Sequence, residues 1–470
     1  MKVENYADVK IENVNIENST SYGIMLHHVY NGLIDSCYIN NYLLTDYGYG
    51  ILISSSSNIL INNANVIANR HGLTTGGQFP CRFITINDSI FNSNNFTGAL
   101  NFHENIEYAT VSNTKANGFD LSGRYITVNN CYAYGTEDRI PFSYIPGKEG
   151  SHQITVDNLI LELNDDITVG FRVVSPYPKK TIDQTYNLGT ISLSNIKVNT
   201  DNTKVRNIFY LGHSDKTRGT MLYFKDINIS NLSINLDIDT TNKVRNNALV
   251  INNISSTGIV KLNNSYIKAP VPISIYNKDE LDDQKIVINN TNLIGDNNRF
   301  NNVIVKLFNV NAKSVYNKFF TYNMEYNKFI INNLEASGYD YIIYNVDENK
   351  LLECSLANVI TELPYYKIVR NWDNIANRVY YQEGLNRIFY NNDVFEEGDF
   401  KSGDIIRKID NSDRTNIGWL CVYSGNPGTW EEYGIIRYGR NLKLTNLPTS
   451  DPKIKDALWN DNGVLKISQG

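Results

Sequence analysis

Residues 58–77 read NILINNANVIANRHGLTTGG. Ile59 and Ile61 alternate with polar neighbours, a pair of asparagines follows at Asn62 and Asn63, and Val66 and Ile67 resume the apolar pattern. The stretch then breaks into Arg70-His71-Gly72 and a Thr74-Thr75-Gly76-Gly77 turn. Alternation of this kind marks a half-buried strand. The asparagine pair behind it marks a bend, because Asn accepts left-handed backbone at little cost.

The same phrase recurs outward in both directions: β-branched, polar, β-branched, a pair drawn from Asn, Asp, Ser or Glu, then another apolar residue. It reads VKIENVNI at 9–16, GLIDSCYI at 32–39, ITINDSIF at 84–91, ITVNNCYA at 126–133, ITVDNLIL at 154–161 and IVINNTNL at 286–293. Further copies are ATVSNTKA (109–116), ISLSNIKV (191–198), YFKDINIS (223–230) and IVKLNNSY (259–266). The first members of the pairs are Glu12, Asp35, Asn62, Asn87, Ser112, Asn129, Asp157, Ser194, Asp226, Asn263 and Asn289, spaced by 17 to 37 residues. A single short strand with a polar bend cannot bury its inner face alone. Stacking each copy in parallel on the last buries a continuous core and pairs every backbone group. The expected fold is all-β: a right-handed parallel β-helix, with Asn62, Asn87 and Asn129 stacked at one corner and their amides bonded up the stack. A β-sandwich, with strands every eight to twelve residues, would not keep a polar pair at so long a period.

Composition agrees. The chain has 470 residues, 32 of them Tyr and only 11 Pro, and its strand-favouring Ile, Val, Tyr and Thr outweigh helix formers in helical spacing. A net charge of −6 argues against nucleic acid as the main partner. No run of 18 apolar residues suggests a membrane span, and the first residues, MKVENYADVKIENV, do not read as a signal peptide. The five cysteines, Cys37, Cys81, Cys131, Cys354 and Cys421, are scattered without a C-x-x-C, so neither a disulfide framework nor a zinc site is expected; they read as small buried hydrophobes. No cofactor and no metal are expected. The domain expectation is a β-helix over 1–310, an irregular β region over 311–384, and a small C-terminal β domain over 385–470, where Gly-Asp and Pro-Gly turns separate short strands around Trp419 and Trp430. The first coil starts near residue 9 with no cap before it, so a preceding segment or another chain is expected to cover that edge.

Two segments resemble a known family. The coil pattern with NRHGLTTGG (69–77) and NFHENIEYATVSNTKANGFDLSGRYITVNNCYA (101–133) resembles the pectate-lyase-like β-helix of bacteriophage tail spikes and related carbohydrate-active proteins. IGWLCVYSGNPGTWEEYGII (417–436) resembles a short unit that follows such helices, and LPTSDPKIKDALWNDNGVLKIS (447–468) is similar to the C-terminus of many phage structural proteins. The resemblance implies a homotrimer on the virion tail, a bacterial surface polysaccharide as ligand, and attachment to other phage tail proteins through a part preceding this chain. It does not fix the enzyme class.

Only residues 46–139 concentrate His, Arg and carboxylates at coil bends. Counted from the polar pairs, Arg70, His71, Asp120, Glu137 and Asp138 fall eight or nine residues on, Asp46 and Tyr47 eleven or twelve, and His103 and Glu104 sixteen or seventeen. The expectation is one groove with His71, His103, Glu104 and Asp120 as catalytic residues. Arg70, Asp46, Tyr47, Arg124, Glu137, Asp138 and Arg139 would bind ligand. Gly72, Gly76 and Gly77 would leave room for it. Paired carboxylates suit glycoside hydrolysis, and a base beside a cation suits elimination from a uronate; both remain open, as does binding without cleavage.

Overall fold

The computed structural model describes the chain outside residues 20, 42–47, 95–97, 104–105, 136–139, 147–152, 164–168, 174–184, 201–205, 213–220, 237–246, 253, 277–284, 302, 316–317, 324–326, 346–350, 362, 364–368, 370–378, 384–385, 410–416, 434–435, 439–440, 444–446 and 456. It divides into two compact units, Met1–Leu352 with Asn358–Arg370, and Glu353–Ala357 with Asn371–Gly470.

The first unit is the right-handed parallel β-helix. Each turn contributes a leading, a short and a closing strand, for example Ser57–Asn62, Asn65–Ala68 and His71–Gly76. Each pairs in parallel with its counterparts in the turns before and after. Alternation does the sorting: Ile59, Ile61 and Val66 point inward and are at most 1% exposed, as are Ile84, Ile86 and Phe91 one turn on.

Glu12, Asp35, Asn62, Asn87, Ser112, Asn129, Asp157 and Ser194 lie opposite one another in register. Asn62, Asn87 and Asn129 therefore share a corner. The amide ladder, however, runs mainly through the second members of the pairs, crossing to a first member where Asn63 donates to Asp35 and Asn195 to Asp157. Asn63, Asp88, Asn113, Asn130, Asn158, Asn195, Asn231, Asn264 and Asn290 all have φ between 47° and 52°. Asn130 Nδ2 donates to Asn113 Oδ1 at 2.6 Å, Asn158 Nδ2 to Asn130 Oδ1 at 2.9 Å, and Asn231 Nδ2 to Asn195 Oδ1 at 2.8 Å.

One turn departs from the sequence register. Ser230, not Asp226, stands in the corner column, opposite Ser194 and Asn263. YFKD and INIS both alternate, and the core takes the second, with Ile227 and Ile229 buried. The corner also persists past residue 310. Strands Val303–Lys313 and Asn327–Ser337 pair in parallel, and Asn333 Nδ2 donates to Asn309 Oδ1 at 2.8 Å.

The second unit holds mixed strands: Val379–Glu383 and Asn386–Asn391 pair antiparallel, as do Ile405–Lys408 with Gly418–Tyr423, and Gly418–Tyr423 with Thr429–Tyr433. Phe389, Phe395, Phe400 and Trp430 pack ring to ring at 5.0–5.7 Å. All five cysteines are buried and unpaired, and burial raises each thiol's pKa. No helix among the described residues is long and apolar enough to cross a membrane.

Candidate functional site on the closing sheet

The closing strands are keyed by an inward ladder. Leu100, Phe119, Phe142, Phe171 and Phe209 lie opposite one another in successive turns. All are fully buried, and the four phenylalanine rings follow at 5.6, 4.5 and 5.3 Å. Because side chains alternate, the residue after each ladder member points outward. Those residues are Asn101, Asp120, Ser143 and Arg172, preceded in the column by Thr74. Five polar side chains thus stand in one line on the outward side of the closing sheet, Thr74, Asn101 and Ser143 buried and Asp120 and Arg172 partly so.

They engage one another. Asn101 Nδ2 donates to Asp120 Oδ2 at 3.2 Å, and Arg172 Nε donates to Ser143 Oγ at 2.9 Å. Asp120 Oδ1 is buried with no hydrogen-bond partner among the described residues, and so is the hydroxyl of Ser122, two residues along the same strand face. Burial raises the Asp120 pKa above the ordinary carboxylate value, against the opposing pull of the Arg172 charge, the Ser143 hydroxyl and the His103 ring. Gly98 makes the close approach possible: a Cβ there would stand 2.9 Å from the Cβ of Asp120.

The residues expected from sequence fall in several places. His103 is exposed, two residues beyond Asn101, with its backbone N–H bonded to Thr75 Oγ1 at 2.9 Å; its charge bears on both Asp120 and His71. Because Asn101 lies opposite Asp120, His103 is placed two residues along the strand next to that of Asp120. His71 is 3% exposed, and its Nδ1 lies 2.8 Å from the Gly98 carbonyl. Burial and the neighbouring Arg70 charge push its pKa down to about 4, so the ring is neutral at ordinary pH. Arg70 lies over the Tyr49 ring, 5.3 Å from its centroid. Arg124 stands on the leading sheet, 3.7 Å from Glu107 rather than beside Asp120. Gly72 packs against Phe91 and the Ala99 carbonyl, so it serves the core. Glu104, Asp46, Tyr47, Glu137, Asp138 and Arg139 lie outside the described residues.

Sequence counting missed Thr74, Asn101, Ser143 and Arg172. A signal was present: the dipeptides Phe119-Asp120, Phe142-Ser143 and Phe171-Arg172 each put a polar residue behind a buried ring. Among the described residues no group of three or more His, Cys, Asp or Glu is arranged to hold a metal. The column offers a carboxyl that keeps its proton to higher pH than usual, a guanidinium fork suited to an anionic group, and amide and hydroxyl donors suited to sugar hydroxyls.

Residues 17–257 match the model of the family described as Gp49, pectin lyase-like, and the chain belongs to that family. No curated protein matches the chain. Solved structures similar in fold include the tailspike protein gp49 of Pseudomonas phage LKA1, at 14% identity and a TM-score of 0.30, covering 77% of this chain and 46% of that one. The tailspike gp61 of Pseudomonas phage phi297 matches at 13% identity and a TM-score of 0.32, covering 81% and 48%. The Gp54 tailspike of Acinetobacter baumannii bacteriophage AP22, solved in complex with A. baumannii capsular saccharide, matches at 14% identity and a TM-score of 0.30, covering 74% and 47%. The chain spans about half the length of these solved tailspikes.

Proposed function

We propose that this member of the Gp49, pectin lyase-like family is the glycan-handling part of a phage tailspike, working as a homotrimer on the virion tail. It binds an acidic bacterial surface polysaccharide along Asn101, Asp120, Ser143 and Arg172 and cleaves it there by elimination. The observation that carries this reading is Asp120, its pKa raised by burial, aligned across Ser143 with Arg172. Arg172 holds the uronate carboxylate and takes up the charge that develops on it. His103 removes the proton α to that carboxylate. The bond from carbon to the leaving glycosidic oxygen breaks as a carbon–carbon double bond forms, and Asp120 gives its proton to the leaving oxygen. His71, buried and neutral, supports this geometry through Gly98 and does not touch the substrate.

The test is incubation of the chain with a panel of uronate-containing capsular and exopolysaccharides, following the ultraviolet absorbance of an unsaturated uronate beside the release of reducing ends. Both signals rising together is the expected result. Reducing ends without absorbance would replace elimination by hydrolysis. Retention of a polymer with neither signal would reduce the chain to a receptor-binding module.

A further inference from the structure

A second column on the leading sheet is built differently from everything around it. Asp8, Asn31, Asn58, Phe83, Tyr108 and Tyr125 occupy one position in successive turns, as their flanking register shows. All six have left-handed backbone, with φ between 53° and 60°. In the first three turns the residue is one that tolerates this conformation, and the side chains ladder, Asn31 Nδ2 to Asp8 Oδ1 at 3.0 Å and Asn58 Nδ2 to Asn31 Oδ1 at 3.1 Å. The next three turns put aromatic rings there instead. A bulky residue at positive φ is an uncommon choice, and its presence where Asn serves asks for a reason.

Core packing is not that reason: Phe83, Tyr108 and Tyr125 are 53%, 47% and 38% exposed. The rings stack on one another at 5.2 and 4.8 Å with interplanar angles of 9° and 5°. The next turn carries Gln153 in that column, so among the described residues no ring covers the far face of Tyr125. Beside the rings lies a groove of about 350 Å³ lined by Thr85, Thr110, Thr127, Thr155 and Gln153. No residue of its lining carries a formal charge. An apolar ring wall above a floor of hydroxyl and amide groups is complementary to a saccharide, whose C–H face seats on an aromatic ring while its hydroxyls bond to the floor. An apolar partner surface would leave the threonine hydroxyls buried without bonds, whereas a saccharide brings a hydroxyl to each.

We propose that Phe83, Tyr108, Tyr125 and the Thr85–Thr110–Thr127–Thr155 row form a second saccharide-binding strip, on a different sheet from the Asp120 groove, that holds uncharged sugar units of the surface polymer. One sugar ring seats in the groove against Tyr125 and Gln153, and the stack of Phe83 and Tyr108 fixes the Tyr125 ring. The strip supplies a second point of attachment on one chain, which raises retention on a long polymer without any part in bond cleavage.

The test uses the full chain and a printed array of purified bacterial surface polysaccharides, uronate-containing and neutral. Four proteins are compared: the natural chain; the triple variant Phe83→Asn, Tyr108→Asn, Tyr125→Asn; the single variant Tyr125→Phe; and the groove variant Asp120→Asn with Arg172→Ala. Asn is what the two preceding turns carry, so the triple variant should keep its fold, checked by thermal melting and by molar mass in solution. The expected result is a loss of at least tenfold in apparent affinity for the triple variant, with Tyr125→Phe retaining binding. Unchanged binding in the triple variant would overturn the strip, as would a natural chain that retains no polymer. A triple variant of altered molar mass would also overturn it, marking the column as a contact between copies of this chain. A groove variant that binds as well as the natural chain, beside a triple variant that does not, would leave the strip standing and remove the Asp120 groove reading alone.

Discussion

The corner behind the leading strands and the outer face of the closing sheet belong to the same turns of one β-helix, yet they follow different rules. At the corner, one conformational demand repeats every turn, and Asn meets it in most of them: Asn63, Asn113, Asn130, Asn158 and Asn195 all sit at φ near 50°, with Ser36 and Asp88 in the same conformation. On the closing sheet only the inward side repeats, through Phe119, Phe142, Phe171 and Phe209. The outward side changes from Asn101 to Asp120 to Ser143 to Arg172. Repetition is what a fold needs of its spacers, and variety on a repeated frame is what a ligand needs of its site. The difference teaches that a candidate site in a repeated fold is sought by first locating the repeated side and then reading the residues on the other.

The largest expected effect comes from breaking the frame beneath the varied side. Phe142 is fully buried between the rings of Phe119 and Phe171. Phe142→Ala should cost about 3–5 kcal/mol in denaturant unfolding, measured at fixed protein concentration. A change below about 1 kcal/mol would mean that the ladder does not support the closing sheet.

The next effect is a pH dependence that belongs to the closing sheet and not to the asparagine corner. His71 has a folded pKa of about 4 against an ordinary 6.5. The unfolded chain therefore takes up a proton that the folded chain refuses. Stability is unaffected by this group above about pH 6.5, falls as pH drops below it, and has lost about 3 kcal/mol once pH reaches about 4. Unfolding curves collected across that range should show the loss in the natural chain and a smaller one in His71→Gln. Equal slopes in the two proteins would contradict the buried, neutral ring.

At the corner the effect is smaller and of a different kind. Asn130→Val places a β-branched residue in left-handed backbone and removes the bonds to Asn113 and Asn158. It should cost about 2 kcal/mol, while Asn130→Gly, which keeps the conformation and loses only the exposed amide bonds, should cost about 1 kcal/mol or less. If the two variants are equally destabilised, conformation is not what selects Asn there.

How much of this was legible follows the same division. The β-helix was readable because Ile59, Ile61 and Asn62-Asn63 recur as a phrase, and the buried cysteines were readable from their scatter. The site was only partly readable. Asp120 and His103, both singled out from the sequence, stand on neighbouring closing strands, whereas counting along the chain from the polar pairs hid the other members of the candidate column, Asn101, Ser143 and Arg172. Asp120 lies 8 residues after Ser112, Ser143 lies 14 after Asn129, and Arg172 lies 15 after Asp157. Loops of differing length between the leading and closing strands spoil any fixed offset, because the core constrains strands and leaves loops free to vary. The same counting placed His71 beside Asp120. His71 instead opens its strand at a buried bend, while Asp120 lies in the outward column of Thr74, three residues further on. The ring that precedes each groove residue was a better ruler than distance from the asparagines.

Asp120 is the residue through which we propose that the varied side of the closing sheet works on a polysaccharide. The most direct measurement is the initial rate of depolymerisation, on whichever surface polymer the natural chain cleaves, for Asp120→Asn beside the natural chain. Asn keeps the shape and can still bond to Asn101 but has no proton to give. Loss of a general acid predicts a fall of about 100-fold or more, with melting temperature and molar mass unchanged. A rate within about twofold of the natural chain, in a variant that folds and assembles normally, would contradict the claim and leave Asp120 as a structural residue of the coil.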